Sequence, residues 1–179
     1  ATTPIVLTSS IPAELDNNYG KSKAGAEAAI SDYRSKTGAL TYTYRLPNVF
    51  GKWSRPNYNS AVATFCHNTI NDLPITINNA EAELSLVYID DVCKNFLRLL
   101  DPTIVNSKVS EISPIYKTTV GRVVELLEKF KSSRKSLITE KVGTEFTRAL
   151  YSTYVSYLEP EQFAYSVTRH GDERGTFVE

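Results

Sequence analysis

The sequence has few of the residues on which metal-binding and disulfide-linked proteins depend. Its two cysteines, Cys66 and Cys93, form no CxxC pair and have no metal-ligand spacing to His67 or His170, its two histidines. We therefore expect no disulfide scaffold and no bound metal. Two isolated cysteines in 179 residues are typical of a reducing compartment, so we expect a cytoplasmic location.

The sequence also lacks an excess of one charge and a long hydrophobic run. Lys and Arg number 20 against 20 Asp and Glu, so the formal net charge is zero, whereas a general nucleic-acid binder normally carries a basic excess. No apolar run approaches the ~20 residues that a helix needs to span a bilayer. The first residues also lack the basic start and apolar core of a signal peptide. We expect neither a nucleic-acid partner nor a membrane partner.

A third absence concerns phosphate binding. The eight glycines include no three that form a GxGxxG or GxxxxGK loop. A dinucleotide pyrophosphate rests on such a loop at a helix N-terminus, so any nucleotide site in this chain is incomplete by itself. The sequence opens almost at once on the strand-like run 5–8 and closes on the strand-like run 175–179. These features predict a piece of a larger protein.

What the sequence does contain is an alternation of strand-like and helix-like segments, which predicts an α/β layer fold. The predicted strands cover 40–46, 73–77, 84–89 and 109–112, and the predicted helices 19–37, 59–71, 90–100, 120–131 and 144–158. Asn59 or Ser60, Asp90 or Asp91, and Thr118 or Thr119 are the predicted helix caps.

The first chemical signal is the pair Tyr19 and Lys23. The two residues lie four apart at a predicted helix start, which puts both side chains on one face. A free phenol titrates near ~10, so a tyrosine transfers protons near neutral pH only where a neighbouring cation favours its ionised form. A lysine ~4 Å away contributes ~1 kcal/mol in bulk water but ~4 kcal/mol at an effective dielectric of ~20. The pair therefore needs a partly desolvated cleft, and taken alone it fits a solvated helix surface equally well.

Two further signals follow predicted strands. Ser9 and Ser10 come directly after the run 5–8, and the segment RLPNVFG begins at Arg45. In open α/β sheets, ligands bind outside the carboxyl ends of the strands. A hydroxyl there can donate a hydrogen bond to a substrate oxygen while a phenol moves the proton. The competing interpretation of the two serines is an ordinary turn.

Taken in order, Ser9-Ser10, the YGKSK segment at 19–23 and RLPNVFG at 45–51 resemble the landmarks of the extended short-chain dehydrogenase/reductase family. The resemblance is to its nucleotide-sugar epimerase, dehydratase and reductase branch, and VYIDDV at 87–92 is similar to a later segment of that branch. Segments 50–60, 150–154 and 172–177 resemble a subgroup of capsular-polysaccharide enzymes in which a reductase domain precedes a C-terminal cupin domain.

This resemblance implies a partial Rossmann-type α/β domain that lacks its N-terminal dinucleotide-binding half. On this interpretation residues 1–160 form the C-terminal part of an NAD(P)-dependent sugar-nucleotide reductase domain. Residues 161–179 would be a linker leading into a missing cupin domain. The chain alone is then expected to bind the cofactor poorly and to be inactive, because the glycine-rich loop is not in it.

The resemblance also implies a role for each matching residue. Tyr19 would be the catalytic acid, and Lys23 would favour the ionised phenol and hold the nicotinamide ribose. Ser10 would match the family's catalytic Ser or Thr, with Ser9 as the alternative and a substrate ligand. The residues expected to border the nicotinamide and the sugar nucleotide are Pro47, Asn48 and Val49. The expected ligands of the substrate, on the loop that follows, are Lys52, Arg55, Asn57 and Asn59, joined by Asn48.

The implied function is reduction of the C4 ketone of a UDP-4-keto-6-deoxy-amino sugar, for capsular or surface polysaccharide precursors. NADPH is the expected cofactor, with NADH possible, and a homodimer is expected. A 4-epimerase or 4,6-dehydratase would use the same Tyr and Lys, although Ile11-Pro12 after Ser10 disfavours dehydration, which normally places Asp-Glu there. A non-catalytic dinucleotide-sensing or interaction module is the alternative from another class. Retention of Tyr19 and Lys23 argues against that module.

One departure from the branch concerns diphosphate binding. Its members often carry a basic residue shortly before the VYIDDV segment, where this chain has Glu83. Either the diphosphate is bound from elsewhere, or the substrate differs. Arg55 and Lys52 are the candidate diphosphate ligands, since an arginine guanidinium fork suits phosphate oxygens.

Overall fold

The structure is a computed structural model that describes residues 4–14, 16–101 and 111–178. It divides into two units, which are Ala1–Phe50 with Glu83–Thr118 (unit 1) and Gly51–Ala82 with Thr119–Glu179 (unit 2). The strands are β1 Ile5–Ser10, β2 Thr41–Leu46, β3 Asn48–Phe50, β4 Glu83–Tyr88, β5 Tyr116–Thr119, β6 Arg169–Asp172 and β7 Gly175–Val178. The helices are α1 Asn18–Thr37, α2 Ala61–Ile70, α3 Ile89–Arg98, α4 Val120–Ser136 and α5 Glu145–Val155.

Unit 1 confirms the predicted α/β class. Strands β1 and β2 pair in parallel, and helix α1 connects them, so this segment is a βαβ crossover. The helix begins after Asn17, whose side chain accepts from the Gly20 N–H at 2.8 Å. It ends at Gly38, whose φ of 69° is left-handed and easily adopted by glycine. Pro47 separates β2 from β3, and β3 pairs in parallel with β4.

The core of unit 1 lies along β2 and α3. Tyr44 is fully buried there, and its ring centroid is 5.1 Å from that of Phe96. The hydroxyl of Tyr44 has no hydrogen-bond partner within the described ranges. Burial raises the pKa of Tyr44, because the charged phenolate would be desolvated.

A buried hydroxyl without a partner costs about 1–3 kcal/mol. We therefore expect Tyr44→Phe, which keeps the ring and removes the hydroxyl, to raise the free energy of unfolding or leave it unchanged. Urea unfolding of the parent and variant proteins measures this difference. A loss of more than about 1 kcal/mol would show instead that the hydroxyl has a native partner.

Unit 2 is built on three mutually packed helices, α2, α4 and α5. Phe130 of α4 is at their centre, with its ring centroid 5.0 Å from that of Tyr151 and 5.8 Å from that of Tyr154. Burial raises the pKa of the Cys66 thiol on α2. At the rim, the Lys131 ammonium donates to the Thr69 carbonyl oxygen at 2.6 Å, which joins α4 to the end of α2.

Several sequence-based element predictions are confirmed and others are wrong. Ser60 caps α2 and Thr119 caps α4, as expected. No strand forms over 73–77, where Pro74 lacks the N–H that a sheet ladder needs. Helix α3 begins one residue before Asp90, so neither aspartate is its cap. Strand β5 was not predicted, and part of the predicted strand at 109–112 lies outside the described residues.

No described helix is both long and apolar enough to cross a membrane. No three His, Cys, Asp or Glu side chains within the described ranges are grouped as metal ligands would be.

Candidate functional site

The start of α1 presents Tyr19 and Lys23 at the end of β1. Tyr19 is 54% exposed. The Lys23 ammonium lies over the Tyr19 ring, 5.8 Å from its centroid, and donates to the Thr8 carbonyl oxygen at 3.3 Å. A lysine four residues after the tyrosine reaches both groups because one helical turn brings the side chains to the same face. The structure therefore places the phenol and the ammonium together beside the carboxyl end of β1.

The two serines at the end of β1 have different surroundings. Ser9 is 4% exposed, and its hydroxyl donates to a carboxylate oxygen of Glu27 at 2.5 Å. Ser10 is half-buried, and within the described ranges no hydrogen bond involves its hydroxyl. This difference favours Ser10 over Ser9 as the group available to a substrate oxygen, and the role of each remains a prediction.

Glu27 and Arg45 form a polar cluster with Ser9. Arg45 Nε donates to Glu27 Oε1 at 3.0 Å, and Arg45 Nη2 donates to Glu27 Oε2 at 2.7 Å. A two-pronged arginine–carboxylate pair of this kind is a strong and geometrically specific hydrogen-bond arrangement. The Arg45 guanidinium holds the pKa of Glu27 below its usual range, against the opposing effect of burial. The cluster joins α1 to the ends of both β1 and β2.

The lowered pKa of Glu27 predicts an acid-dependent stability. Its ordinary pKa is 4.5, so the stabilisation is fully present above that pH and is lost as the pH falls through the lower, folded value. We expect the thermal unfolding temperature of the protein to fall below about pH 4.5, and to fall less steeply in Glu27→Gln. Parallel profiles for the two proteins would contradict this expectation.

Sequence reasoning missed Glu27 entirely and named Arg45 only as the first residue of a motif. One signal was available, since Glu27 lies four residues after Lys23 and so on the same face of a helix. Its partners could not be identified without the register of the parallel pair, in which Ser9 is opposite Arg45.

The segment between β2 and the middle of β3 carries three more predicted site residues. Pro47 is buried, Asn48 is exposed, and Val49 packs partly against the core of unit 1. All three belong to the same unit as Tyr19 and Lys23. Of these three residues, Asn48 has the polar side chain, and that side chain is accessible to a ligand.

The predicted substrate ligands 52–59 lie on a loop of unit 2. The loop ends at Ser60, whose side chain accepts from the Ala63 N–H at 3.3 Å and caps α2. The Tyr157 hydroxyl donates to the Ser54 carbonyl oxygen, and the Asn57 N–H donates to Thr64 Oγ1 at 2.9 Å. These contacts hold the loop against its own unit, with Asn57 in the left-handed region at φ 54°.

Two aromatic side chains project from this loop. Trp53 is 84% exposed, and the Lys52 ammonium lies 5.8 Å from its ring centroid. Tyr58 is also exposed, and the Arg55 guanidinium lies 5.9 Å from its ring. The loop thus combines the exposed Arg55 and the half-buried Lys52 with exposed aromatic rings, a composition suited to a planar, anionic ligand.

The predicted site residues therefore fall into two groups, one in each unit. Tyr19, Lys23 and Ser9 are joined through α1 and β1 in unit 1, where Ser10, Pro47, Asn48 and Val49 also lie. Lys52, Arg55, Asn57 and Asn59 share one loop of unit 2.

Comparison with known proteins identifies the family of the chain. The model of the NAD dependent epimerase/dehydratase family matches residues 3–112. A UDP-2-acetamido-2,6-beta-L-arabino-hexul-4-ose reductase from Pseudomonas aeruginosa is 54% identical over 176 residues, which are 98% of this chain and 47% of that protein. This chain thus spans about half the length of that relative.

Solved structures are also similar to this chain over about half or more of their own length. The capsular polysaccharide assembling protein CapF of Staphylococcus aureus is 40% identical, with a TM-score of 0.90 over 98% of this chain and 49% of its own. A UDP-glucose 4-epimerase from Thermus thermophilus, in complex with NAD, has a TM-score of 0.63 over 86% of this chain and 63% of its own. At 16% identity, the epimerase indicates a shared fold and nothing further.

Proposed function

Since the chain belongs to the NAD dependent epimerase/dehydratase family, we propose that it is the C-terminal half of a sugar-nucleotide reductase domain. The substrate is a UDP-4-keto-6-deoxy-amino sugar, and the product is a precursor of a capsular or surface polysaccharide. The 54% identity to a reductase whose name specifies a 4-ulose substrate supports this choice over other reactions of the family.

One observation carries the proposal. The Lys23 ammonium lies over the Tyr19 ring and also donates a hydrogen bond to the Thr8 carbonyl oxygen, near the carboxyl end of β1. A phenol supported by a cation at a strand end is the arrangement that proton transfer to a bound ketone requires.

A nicotinamide dinucleotide, when bound, supplies the hydride that reduces the ketone carbon, and we propose NADPH for this role. The described residues fit one end of such a group. Tyr19 is exposed and Lys23 offers an ammonium at the carboxyl end of β1, as a nicotinamide ribose would need. None of the eight glycines in this chain forms a pyrophosphate loop, so that end of the cofactor depends on residues outside it.

The chemistry assigned to this chain is the delivery of a proton. Tyr19 donates its hydroxyl proton to the C4 oxygen as the carbon accepts the hydride, and the ketone becomes a secondary alcohol. Lys23 stabilises the phenolate that remains on Tyr19. Ser10 donates a hydrogen bond to the same C4 oxygen and so favours the developing negative charge.

Substrate binding is assigned to the two groups of polar residues already described. Pro47, Asn48 and Val49 border the nicotinamide and sugar, and Ser9 is a further proposed substrate ligand. The diphosphate and sugar ligands on the unit 2 loop are Lys52, Arg55, Asn57 and Asn59. Exposure of the Arg55 and Asn59 side chains supports this assignment, because both are accessible to a ligand.

The C-terminal segment 161–179 is proposed to lead into a cupin domain. It contains the antiparallel hairpin of β6 and β7, in which Phe177 opposes His170. Every residue of both strands is exposed, Phe177 and Val178 included. Exposed apolar side chains on a short hairpin support contact with a following domain. We further propose a cytoplasmic homodimer.

The full-length protein tests this function directly. With NADPH and a UDP-4-keto-6-deoxy-amino sugar, we expect one NADPH to be oxidised, followed by absorbance, for each secondary alcohol formed. Interconversion of sugars without net NADPH oxidation would identify an epimerase instead. Binding of the dinucleotide without any turnover would support the non-catalytic module.

A further inference from the structure

The face of α1 that packs on β1 consists mainly of small and polar residues. Its buried and half-buried positions are Gly20, Lys23, Ala26, Glu27 and Ile30. Only Ile30 among them has a large apolar side chain. A unique position between packed elements normally comes from interlocking apolar side chains, which this face lacks. The position of α1 along β1 therefore depends on its polar contacts.

Two successive turns of α1 make those contacts. Lys23 donates to the Thr8 carbonyl oxygen at 3.3 Å, and Glu27, one turn later, accepts from the next residue, Ser9, at 2.5 Å. The second turn extends across to β2, because Arg45 is opposite Ser9 in the parallel register and also donates to Glu27. Glu27 thus holds both strand ends at once, whereas Lys23 holds only one.

The surroundings of Glu27 favour a fixed side chain that holds the ends of β1 and β2. Its side chain is 17% exposed, whereas that of Arg45 is 44% exposed, so the hydrogen bond from Ser9 is the one most shielded from water. The hydroxyl of Ser9 is buried and depends on the carboxylate as its acceptor. Both carboxylate oxygens are occupied, which leaves Glu27 little freedom to rotate.

We propose that Glu27 is a positioning residue of the reductase site, which sets the place of Tyr19 and Lys23 by fixing α1 to the ends of β1 and β2. This inference rests on the proposed function. Glu27 does not touch the reacting atoms itself. A displacement of about 1 Å at a reacting group can cost about 100-fold in rate, so a modest shift of α1 is enough to slow the chemistry.

The test uses Glu27→Gln in the full-length protein. Glutamine keeps the side-chain length and an acceptor for Ser9 but loses the charge that holds the Arg45 fork. We expect kcat to fall at least about 10-fold, with KM for the UDP-sugar changed by less than about 3-fold. Asp32→Asn is the matched control, because Asp32 lies on the exposed side of α1 and forms an ion pair with Lys36 of the same helix at 2.7 Å. It should leave both constants unchanged.

A second background separates positioning from general support of the fold. If Glu27 acts by placing Lys23 and Tyr19, Glu27→Gln costs less than about 3-fold in kcat once both have been replaced, in the Tyr19→Phe/Lys23→Met background. Equal losses of kcat in the parent and Tyr19→Phe/Lys23→Met backgrounds would overturn the inference, because a merely structural effect multiplies through both. An unchanged kcat in Glu27→Gln would overturn it as well.

The remaining outcomes are also decisive. If the parent protein shows no turnover, both the proposed function and this inference fail. If the parent turns over and Glu27→Gln does not, and circular dichroism shows that the variant is unfolded, Glu27→Asp and Arg45→Lys carry the same comparison. If all three variants are unfolded, Glu27 is required for the fold itself and the positioning role is rejected.

Discussion

Replacing Tyr19 by Phe in the full-length protein is expected to lower kcat for ketone reduction by about 100- to 10,000-fold, the usual contribution of a general acid. The variant keeps the aromatic ring, and therefore the surface over which the Lys23 ammonium lies 5.8 Å from the ring centroid. Only the hydroxyl that is proposed to donate the proton is removed. Binding of the UDP-sugar should change little, so the loss should appear in kcat and not in KM.

Tyr33→Phe is the matched control for this experiment. Tyr33 lies on the same helix and is 41% exposed, compared with 54% for Tyr19, but is far from the helix start. Its replacement should leave turnover unchanged. Equal turnover of the parent and Tyr19→Phe proteins would remove Tyr19 from the mechanism, whatever the control shows.

The second large effect concerns the core of unit 2. Phe130 is 1% exposed, and its ring packs against the rings of both Tyr151 and Tyr154. Phe130→Ala removes a fully buried ring and leaves a cavity, which costs about 3–5 kcal/mol. Because the described chain divides into two units, amide hydrogen exchange of α2, α4 and α5 is the appropriate measurement, since it reports on these three helices separately.

Each 1.4 kcal/mol corresponds to about a tenfold change in an equilibrium constant, so protection of these helices should fall by about 100- to 1,000-fold or more. Ile138→Ala is the control, since Ile138 follows α4 in the chain and is largely exposed. It should change protection by less than about threefold. Unaltered exchange in Phe130→Ala would contradict the packing described for the three helices.

The sequence was sufficient to predict the parts of the site that depend on local spacing. Tyr19 and Lys23 are one helical turn apart, and any α-helix that includes both brings them together. The caps Ser60 and Thr119 were predictable for the same reason, because a cap interacts with an amide only three residues away.

The parts that were missed depend on strand pairing. Glu27 has hydrogen-bond partners 18 residues away on either side, and only the register of β1 with β2 brings those partners together. The run 73–77 has the apolar composition of a strand, yet Leu73 is exposed and follows Asp72, which adopts a left-handed φ of 54°. Local composition therefore did not determine whether a sheet partner existed for that run.

The family resemblance inferred from the ordered motifs is confirmed by the family match over residues 3–112. Ordered motifs were informative because each constrains the others: serines after one strand, a Tyr–Lys pair on the next helix and RLPNVFG at the end of the next strand. Residues on the 52–59 loop were harder to assign. The local sequence around an exposed Lys or Arg in this loop is the same whether the side chain binds phosphate or only water. The exposure of Trp53 was likewise not predictable from its neighbours in the sequence.

The most direct test of the central claim is a crystal structure of the full-length protein with NADP⁺ and the UDP-sugar product. If Tyr19 is the proton donor, we expect Tyr19 Oη to lie about 2.6–3.2 Å from the C4 oxygen of the sugar, within hydrogen-bond reach. Lys23 should remain beside the Tyr19 ring at the end of β1. If another side chain occupies that position at C4 and Tyr19 points into solvent, the assignment of Tyr19 as the proton donor is wrong.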